Sequence, residues 1–142
     1  MLRPFIFAAA VIAPTLAPTL VMAGDAERDA IVAGYANQAR AADPAFTAFS
    51  AARGEELFRT KWSTGDPRTP SCTACHTANP KNPGRNAKTG RPIDPVAVSV
   101  NPSRFTDAGD VEKQFKRDCK SVLGRPCTPL EKGDYITFMT GQ

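Results

Sequence analysis

The segment Cys72-Thr73-Ala74-Cys75-His76 constrains this chain more than any other feature of its sequence. Two cysteines separated by two residues and followed at once by histidine form the attachment pattern of a c-type haem. In that chemistry each thiol adds to one vinyl group of the porphyrin, and the histidine becomes the proximal iron ligand. A zinc site would need a second pair of ligands, and a disulfide-exchange motif would need a βαβ pattern around the cysteines. We therefore predict one covalently bound haem c, held by Cys72, Cys75 and His76.

The first residues have the pattern of a secretory signal. Arg3 supplies a positive start, residues 5–21 are mostly apolar, and small residues surround Met22 at a cleavage position. We predict a cleaved signal peptide at residues 1–23 and a single monohaem domain at residues 24–142. A periplasmic location is expected, without stable membrane insertion, because no later stretch reaches transmembrane length. Loss of Arg3 lowers the formal charge from +4 to +3, so this mild positive charge does not predict nucleic acid as a partner.

Two cysteines remain after the haem motif is assigned. Cys119 and Cys127 lie eight positions apart, and thiols in an oxidising compartment usually form disulfides. We expect a disulfide between them, with two free thiols as the alternative.

The rest of the chain is typical of helices joined by long loops. The clearest helix start is Thr128-Pro129-Leu130-Glu131, which combines a capping box with proline at the first helical position. Residues 63–104 are rich in Gly, Pro, Asn and Ser and show no alternating strand pattern, apart from one turn expected after the haem motif. The predicted fold class is all-α, with helices from Asp25 to about Arg40, Ala51 to about Lys61, Thr106 or Asp107 to about Arg117, and Thr128 to the C-terminus.

This layout fits the class I cytochrome c fold, a small helical domain around one covalently attached haem. In that fold a helix containing a glycine and an aromatic residue crosses the C-terminal helix. Gly54 and Phe58 occupy the expected positions, with Tyr135 and Phe138 as crossing partners. Glycine inside a helix costs about 1 kcal/mol, which is compensated where two backbones approach closely. A tolerated glycine among ordinary core aromatic residues is the alternative.

The second axial ligand of the iron is harder to find. His76 is the one histidine of the chain, and methionine or a second histidine is the usual partner. Met139 is the one methionine after the predicted cleavage site. It falls inside the last predicted helix, where core packing is expected instead of iron ligation.

Several motifs in the second half carry a resemblance. Arg104-Phe105-Thr106-Asp107, Asp118-Cys119 and Gly124-Arg125-Pro126-Cys127-Thr128-Pro129 follow the haem motif. Together they resemble the cytochrome c″ and Sphaeroides haem protein family, from about Tyr35 to Gln142. The resemblance implies periplasmic monohaem cytochromes with a class I fold and an extra disulfide, here Cys119–Cys127. It also implies a distal ligand just before the first disulfide cysteine, histidine or asparagine in the family, that detaches when the iron is reduced.

At that position this chain has Asp118. Three alternatives stay open. Asp118 binds ferric iron as an oxygen ligand, or it stands beside an open or water-bound iron. In the third, Lys116 or Lys120 supplies an amine ligand, or Asp118 merely caps its helix.

Two functions follow from this reasoning. The first is electron transfer by a carrier with a redox-labile or open distal position; the resemblance suggests a membrane cytochrome b-type protein or a multihaem cytochrome c as partner. The second is binding or turnover of small diatomic ligands, O₂ or NO, at the ferrous haem. The absence of an acid–base pair beyond Asp118 argues against a dedicated peroxidase.

Two groups of basic residues are further candidates. Arg104 and Arg125 are the candidate partners of the haem propionates. Four basic residues after the motif could steer an acidic partner or simply form a solvated loop: Lys81, Arg85, Lys88 and Arg91.

Overall fold

The computed structural model describes residues 23–142. The predicted signal peptide therefore lies outside the described residues, apart from Ala23. The elements follow one another as α1 (Ala23–Ala42), α2 (Ala51–Arg59), α3 (Thr73–His76), β1 (Gly84–Arg85), β2 (Pro92–Ile93), α4 (Ala108–Leu123) and α5 (Pro129–Thr140). The all-α prediction is confirmed, since the two strands are two residues each and pair only with one another.

The contact between α2 and α5 is built around Gly54. A Cβ at this position would lie 2.6 Å from the carbonyl carbon of Asp134 and 2.8 Å from the Cβ of Phe138. The two backbones therefore approach closely enough to require glycine, as the sequence predicts. Phe58 fills the same contact, with its ring centroid 5.8 Å from that of Phe138 and 6.2 Å from that of Tyr135.

Side-chain caps fix where these helices begin. The predicted capping box of α5 is present, with Thr128 and Glu131 each accepting a hydrogen bond from the other's backbone. Asp107 caps α4 by accepting from the Asp110 backbone N–H. The start of α2 is held by the buried Asp134, whose carboxylate accepts from the Ser50 N–H at 2.7 Å.

Helix α4 is longer than the sequence predicts. It ends at Leu123 instead of about Arg117, because Cys119, Val122 and Leu123 continue its buried face. Gly124 ends it in the left-handed conformation (φ 72°), which is the usual glycine position after a helix. Asp118 consequently lies inside the helix and does not cap its end.

Two smaller predictions are wrong as well. Helix α2 ends at Arg59 instead of about Lys61, because Thr60 turns to an extended conformation. The single turn expected after the haem motif is the motif itself, since α3 covers Thr73–His76.

Most buried apolar side chains of the described residues form one cluster. Met139 belongs to it and is fully buried, as expected of a core residue. The buried guanidinium of Arg28 joins α1 to the loop before α4, donating to the carbonyl oxygens of Pro102 (2.6 Å) and Arg104 (3.1 Å). None of the helices described in residues 23–142 is long and apolar enough to cross a membrane.

Candidate functional site

A cavity of about 480 Å³ lies between the haem motif, the loop before α4, α4 itself and α5. Apolar and aromatic side chains share its wall with a similar number of polar and charged ones. Six residues of this wall decide its chemistry: Cys72, Cys75, His76, Phe105, Asp118 and Tyr135.

The motif residues lie on one side of this cavity because they form a single helical turn. The His76 N–H donates to the Cys72 carbonyl at 3.0 Å, which closes the turn. Neither Cys72 nor Cys75 is in a disulfide. Gly84 of β1 packs against the turn so closely that a Cβ there would lie 3.1 Å from the Cα of His76. The β1–β2 hairpin therefore packs directly against the turn formed by the haem motif.

Burial sets the protonation states of two of these groups. Desolvation raises the pKa of the Cys72 thiol to about 12, with a contribution from the charge of Asp118. Desolvation also lowers the pKa of the His76 imidazole to about 4. At neutral pH the turn therefore presents a neutral imidazole, which has a free lone pair for a metal ion. Two free cysteines and this imidazole, on one wall of a cavity that also has aliphatic and aromatic side chains, fit a covalently attached haem.

Asp118 reaches the cavity from the middle of α4. Its carboxylate also accepts two hydrogen bonds from Arg117, at 2.6 and 3.0 Å. The side chain is 45% exposed, so it borders both the cavity and solvent. The next residue, Cys119, is bonded to Cys127 with a Cα–Cα distance of 5.6 Å, which confirms the predicted disulfide. Both sulfur-bearing residues line the cavity, so the bridge fixes the wall beside Asp118.

Some of the other residues proposed from the sequence as iron ligands or propionate partners line the cavity, and others do not. Neither Lys116, Lys120 nor Met139 lines the cavity. Arg104 does line it, and its guanidinium donates to the carbonyl oxygens of Asp94 (2.6 Å) and Pro95 (2.9 Å). Arg125 lies elsewhere and is bound to Glu131 at 2.6 and 2.9 Å. Of the two candidates for the propionates, only Arg104 faces the cavity.

Two residues of the wall were missed as site residues. Tyr135 was expected only in the helix crossing, although it also lines the cavity. Phe105 has a positive φ of 63°, which is unusual for an aromatic residue, and its ring meets Tyr135 edge to face at 6.1 Å. The signal for Phe105 was its place in the motif just before the α4 cap. Nothing in the sequence pattern distinguishes Tyr135 from a core residue.

Comparison with known proteins gives consistent results. A family model described as a domain of unknown function, DUF1924, matches residues 44–139. The cytochrome c-type protein SHP of Cereibacter sphaeroides is 44% identical over 121 residues, which cover 85% of this chain and 88% of that protein. Cytochrome c″ of Methylophilus methylotrophus is 39% identical over 109 residues, which cover 77% of this chain and 76% of that protein.

Solved structures of the same two proteins have a similar fold. The structure of oxidized SHP, described as an oxygen binding cytochrome c, has a TM-score of 0.74 at 41% identity, over 81% of this chain and 96% of its own. The crystal structure of oxidized cytochrome c″ from Methylophilus methylotrophus has a TM-score of 0.73 at 37% identity, over 82% of this chain and 95% of its own.

Proposed function

Because this chain belongs to the family of the cytochrome c-type protein SHP and cytochrome c″, we propose that it is a periplasmic monohaem cytochrome that carries electrons. Membership implies one covalently bound haem c. Bound haem supplies an iron ion that alternates between the ferric and ferrous states, while the chain supplies attachment, ligands and surroundings. The proposed domain is residues 24–142, exported by a signal peptide at residues 1–23.

We propose thioether attachment through Cys72 and Cys75 and proximal ligation by His76. Three features support these roles: the spacing of the motif, the shared cavity wall and the neutral imidazole. Arg104 is the candidate partner of a propionate, because it is the cationic residue held at the cavity by two backbone carbonyls.

The proposal for the second axial ligand of the iron rests on which residues line the cavity. Among residues 23–142 that wall has Asp118 but no methionine and no histidine besides His76. A carrier with a methionine or a second histidine on the iron is therefore not supported. In a haem-loaded protein, Asp118 would either bind the ferric iron or stand beside an open or water-bound position. Reduction would lower the positive charge that attracts this anionic carboxylate. Asp118 is thus a redox-labile ligand in the first case and a neighbour of the open position in the second.

Electron transfer needs a prosthetic group close to the protein surface. Ala74, in the middle of the motif turn, is exposed, and the two residues that follow it, Cys75 and His76, keep part of their surface. This supports a small, transient interface with a redox partner at the motif. A membrane cytochrome b-type protein or a multihaem cytochrome c is the proposed partner. Lys81 and Arg91, both exposed after the motif, would attract an acidic surface.

A second candidate function is the binding or turnover of O₂ or NO at the ferrous haem. The observation that favours it is the similarity to SHP, which is described as an oxygen binding cytochrome c. The lack of a methionine or second histidine in the described cavity wall favours it too, because a weakly held sixth position admits small ligands.

Absorption and EPR spectra of the purified ferric and ferrous protein test the distal assignment. We expect a high-spin ferric signal that changes in Asp118→Ala, and a ferrous form that binds CO at once. Asp110→Ala is the matched control, because Asp110 also lines the cavity from α4 but lies two turns away. A low-spin ferric spectrum that is the same in wild type and Asp118→Ala would refute the role of Asp118.

Steady-state measurements separate the two functions. An electron carrier is reduced and reoxidised by its partners without consuming O₂ or NO. Sustained consumption of either gas by the reduced protein, at a rate set by protein concentration, would replace the electron-carrier proposal with the second one.

A further inference from the structure

Tyr135 is a buried tyrosine of α5 whose hydroxyl has no protein partner. The residue is 8% exposed. Three aromatic rings enclose its own: the centroids of Phe115, Phe105 and Phe58 lie 5.6, 6.1 and 6.2 Å away. No side chain or backbone group in residues 23–142 forms a hydrogen bond with its hydroxyl, whereas the hydroxyl of the other tyrosine, Tyr35, donates to Glu112.

The free hydroxyl opens onto the cavity. Among the described residues, the one side-chain polar atom that is both sealed by protein and without a partner is Trp62 Nε1. The oxygen of Tyr135 is therefore accessible. Since the residue is otherwise packed among aromatic rings and lines the cavity, the cavity is where its oxygen is reached. An occupant that displaces water from the cavity would leave this hydroxyl unpaired, at a cost of about 1–3 kcal/mol, unless the occupant accepts its hydrogen bond.

The ring of Tyr135 also packs against α4, the helix that carries Asp118. The Phe115 ring meets Tyr135 edge to face, and Phe115 precedes Asp118 by three residues on α4. Residues three apart on a helix are neighbours on one face. All three side chains line the cavity.

The hydroxyl of Tyr135 differs in chemistry from the charged groups named above. An ionised carboxylate such as that of Asp118 only accepts hydrogen bonds. The guanidinium of Arg117 donates to that carboxylate, and the guanidinium of Arg104 donates to two backbone carbonyls and is assigned above to a propionate. Burial raises the pKa of Tyr135 well above its usual value, which keeps the phenol protonated and able to donate.

We propose that Tyr135 Oη donates a hydrogen bond to O₂ held in the cavity beside Asp118. This inference rests on the gas-binding function proposed above. It makes Tyr135 a binding residue for the diatomic ligand, in addition to its place in the helix contact.

The test compares wild type with Tyr135→Phe, which keeps the packed ring and removes only the hydroxyl. The ferrous protein is loaded with O₂, and dissociation is followed by replacement with CO in a stopped-flow instrument. Loss of one hydrogen bond predicts about five-fold faster O₂ dissociation, equivalent to about 1 kcal/mol. The infrared stretch of bound CO should move to higher wavenumber, because the donor near its oxygen is gone. Tyr35→Phe is the matched control and should change neither value, since the Tyr35 hydroxyl is bound to Glu112.

The outcomes separate this inference from the function it rests on. If wild type binds O₂ and CO but Tyr135→Phe has the same O₂ dissociation rate and the same CO stretch, the role of Tyr135 is wrong and gas binding stands. If the ferrous wild type binds neither gas, gas binding fails and the role of Tyr135 fails with it. An equal effect in Tyr35→Phe would also overturn the inference, because it would reflect general loosening of the core.

Discussion

Replacement of Gly54 by alanine tests the contact on which the fold depends. On an isolated helix this change would be favourable by about 1 kcal/mol, because alanine has the higher helix propensity. In this protein the new methyl group would lie 2.6 Å from the carbonyl carbon of Asp134 and 2.8 Å from the Cβ of Phe138. One of these neighbours is backbone, so a change of side-chain rotamer cannot relieve the overlap.

The size of the effect follows from the displacement required. Ordinary carbon contacts begin near 3.4 Å, so α5 must move away from α2 by roughly 1 Å, which is overpacking on a scale that costs about 1–3 kcal/mol. The movement also strains the hydrogen bonds that the Asp134 carboxylate accepts, at the start of α2, from the Ser50 N–H (2.7 Å) and from the Arg53 side chain (2.7 Å). After the propensity gain of about 1 kcal/mol is subtracted, we expect a net loss of about 1–2 kcal/mol, or a fall in Tm of about 4–8 °C.

Guanidinium denaturation of the haem-loaded protein, followed by circular dichroism, measures this change. Gly34→Ala on α1 is the matched control, because a Cβ there meets nothing within 4 Å; it should stabilise the protein by up to about 1 kcal/mol. If both variants are equally stable or both are stabilised, the close approach at Gly54 does not limit the fold, and our account of the helix crossing is wrong.

Three further substitutions test other parts of the structure by the same denaturation assay. Replacing both Cys119 and Cys127 by alanine should cost about 2–3 kcal/mol, as expected for a short loop closed by one disulfide; no loss would mean that the bridge adds nothing to the folded state. Arg28→Met should cost about 3 kcal/mol, since its two hydrogen bonds to the loop carbonyls are charge-assisted, and an unchanged stability would contradict that tie. Arg125 lowers the pKa of Glu131 below its ordinary 4.5, so Glu131 stabilises the fold above that value and loses this contribution as the pH falls below it. In Glu131→Gln the dependence of stability on pH between about 5 and 3 should be flatter, and a parallel curve would show that Glu131 is not the group that titrates.

The parts of the fold that were predictable depend on local chemistry. The capping box at Thr128 works within one turn of chain, so its residues suffice to locate the start of α5. Gly54 was readable because glycine inside a helix is costly without a close neighbour. The disulfide followed from the number of cysteines left after the haem motif.

What could not be predicted depends on contacts that the pattern of one sequence segment does not show. The end of α4 was missed because Lys120 and Ser121 interrupt its apolar pattern, although Gly124 marked its true end. Asp118 was assigned to the distal position by resemblance, yet its bond to Arg117 and its place within a helix needed coordinates. The cavity wall joins α3, the loop before α4, α4 and α5, and no periodic pattern within one element shows which side chains meet there.

Two adjacent residues of helix α5 have different roles, one in the stability of the fold and one in the wall of the cavity. Asp134 meets Gly54 through its carbonyl and caps α2 through its carboxylate, while Tyr135 turns to the cavity. Because these residues are neighbours in a rigid helix, a displacement at the crossing also moves the Tyr135 hydroxyl. Hydrogen bonds depend steeply on distance and angle, so a shift of roughly 1 Å is enough to weaken the one proposed for O₂. Substitutions at the crossing should therefore alter gas dissociation even though they lie outside the cavity, whereas substitutions on the exposed face of α1 should not.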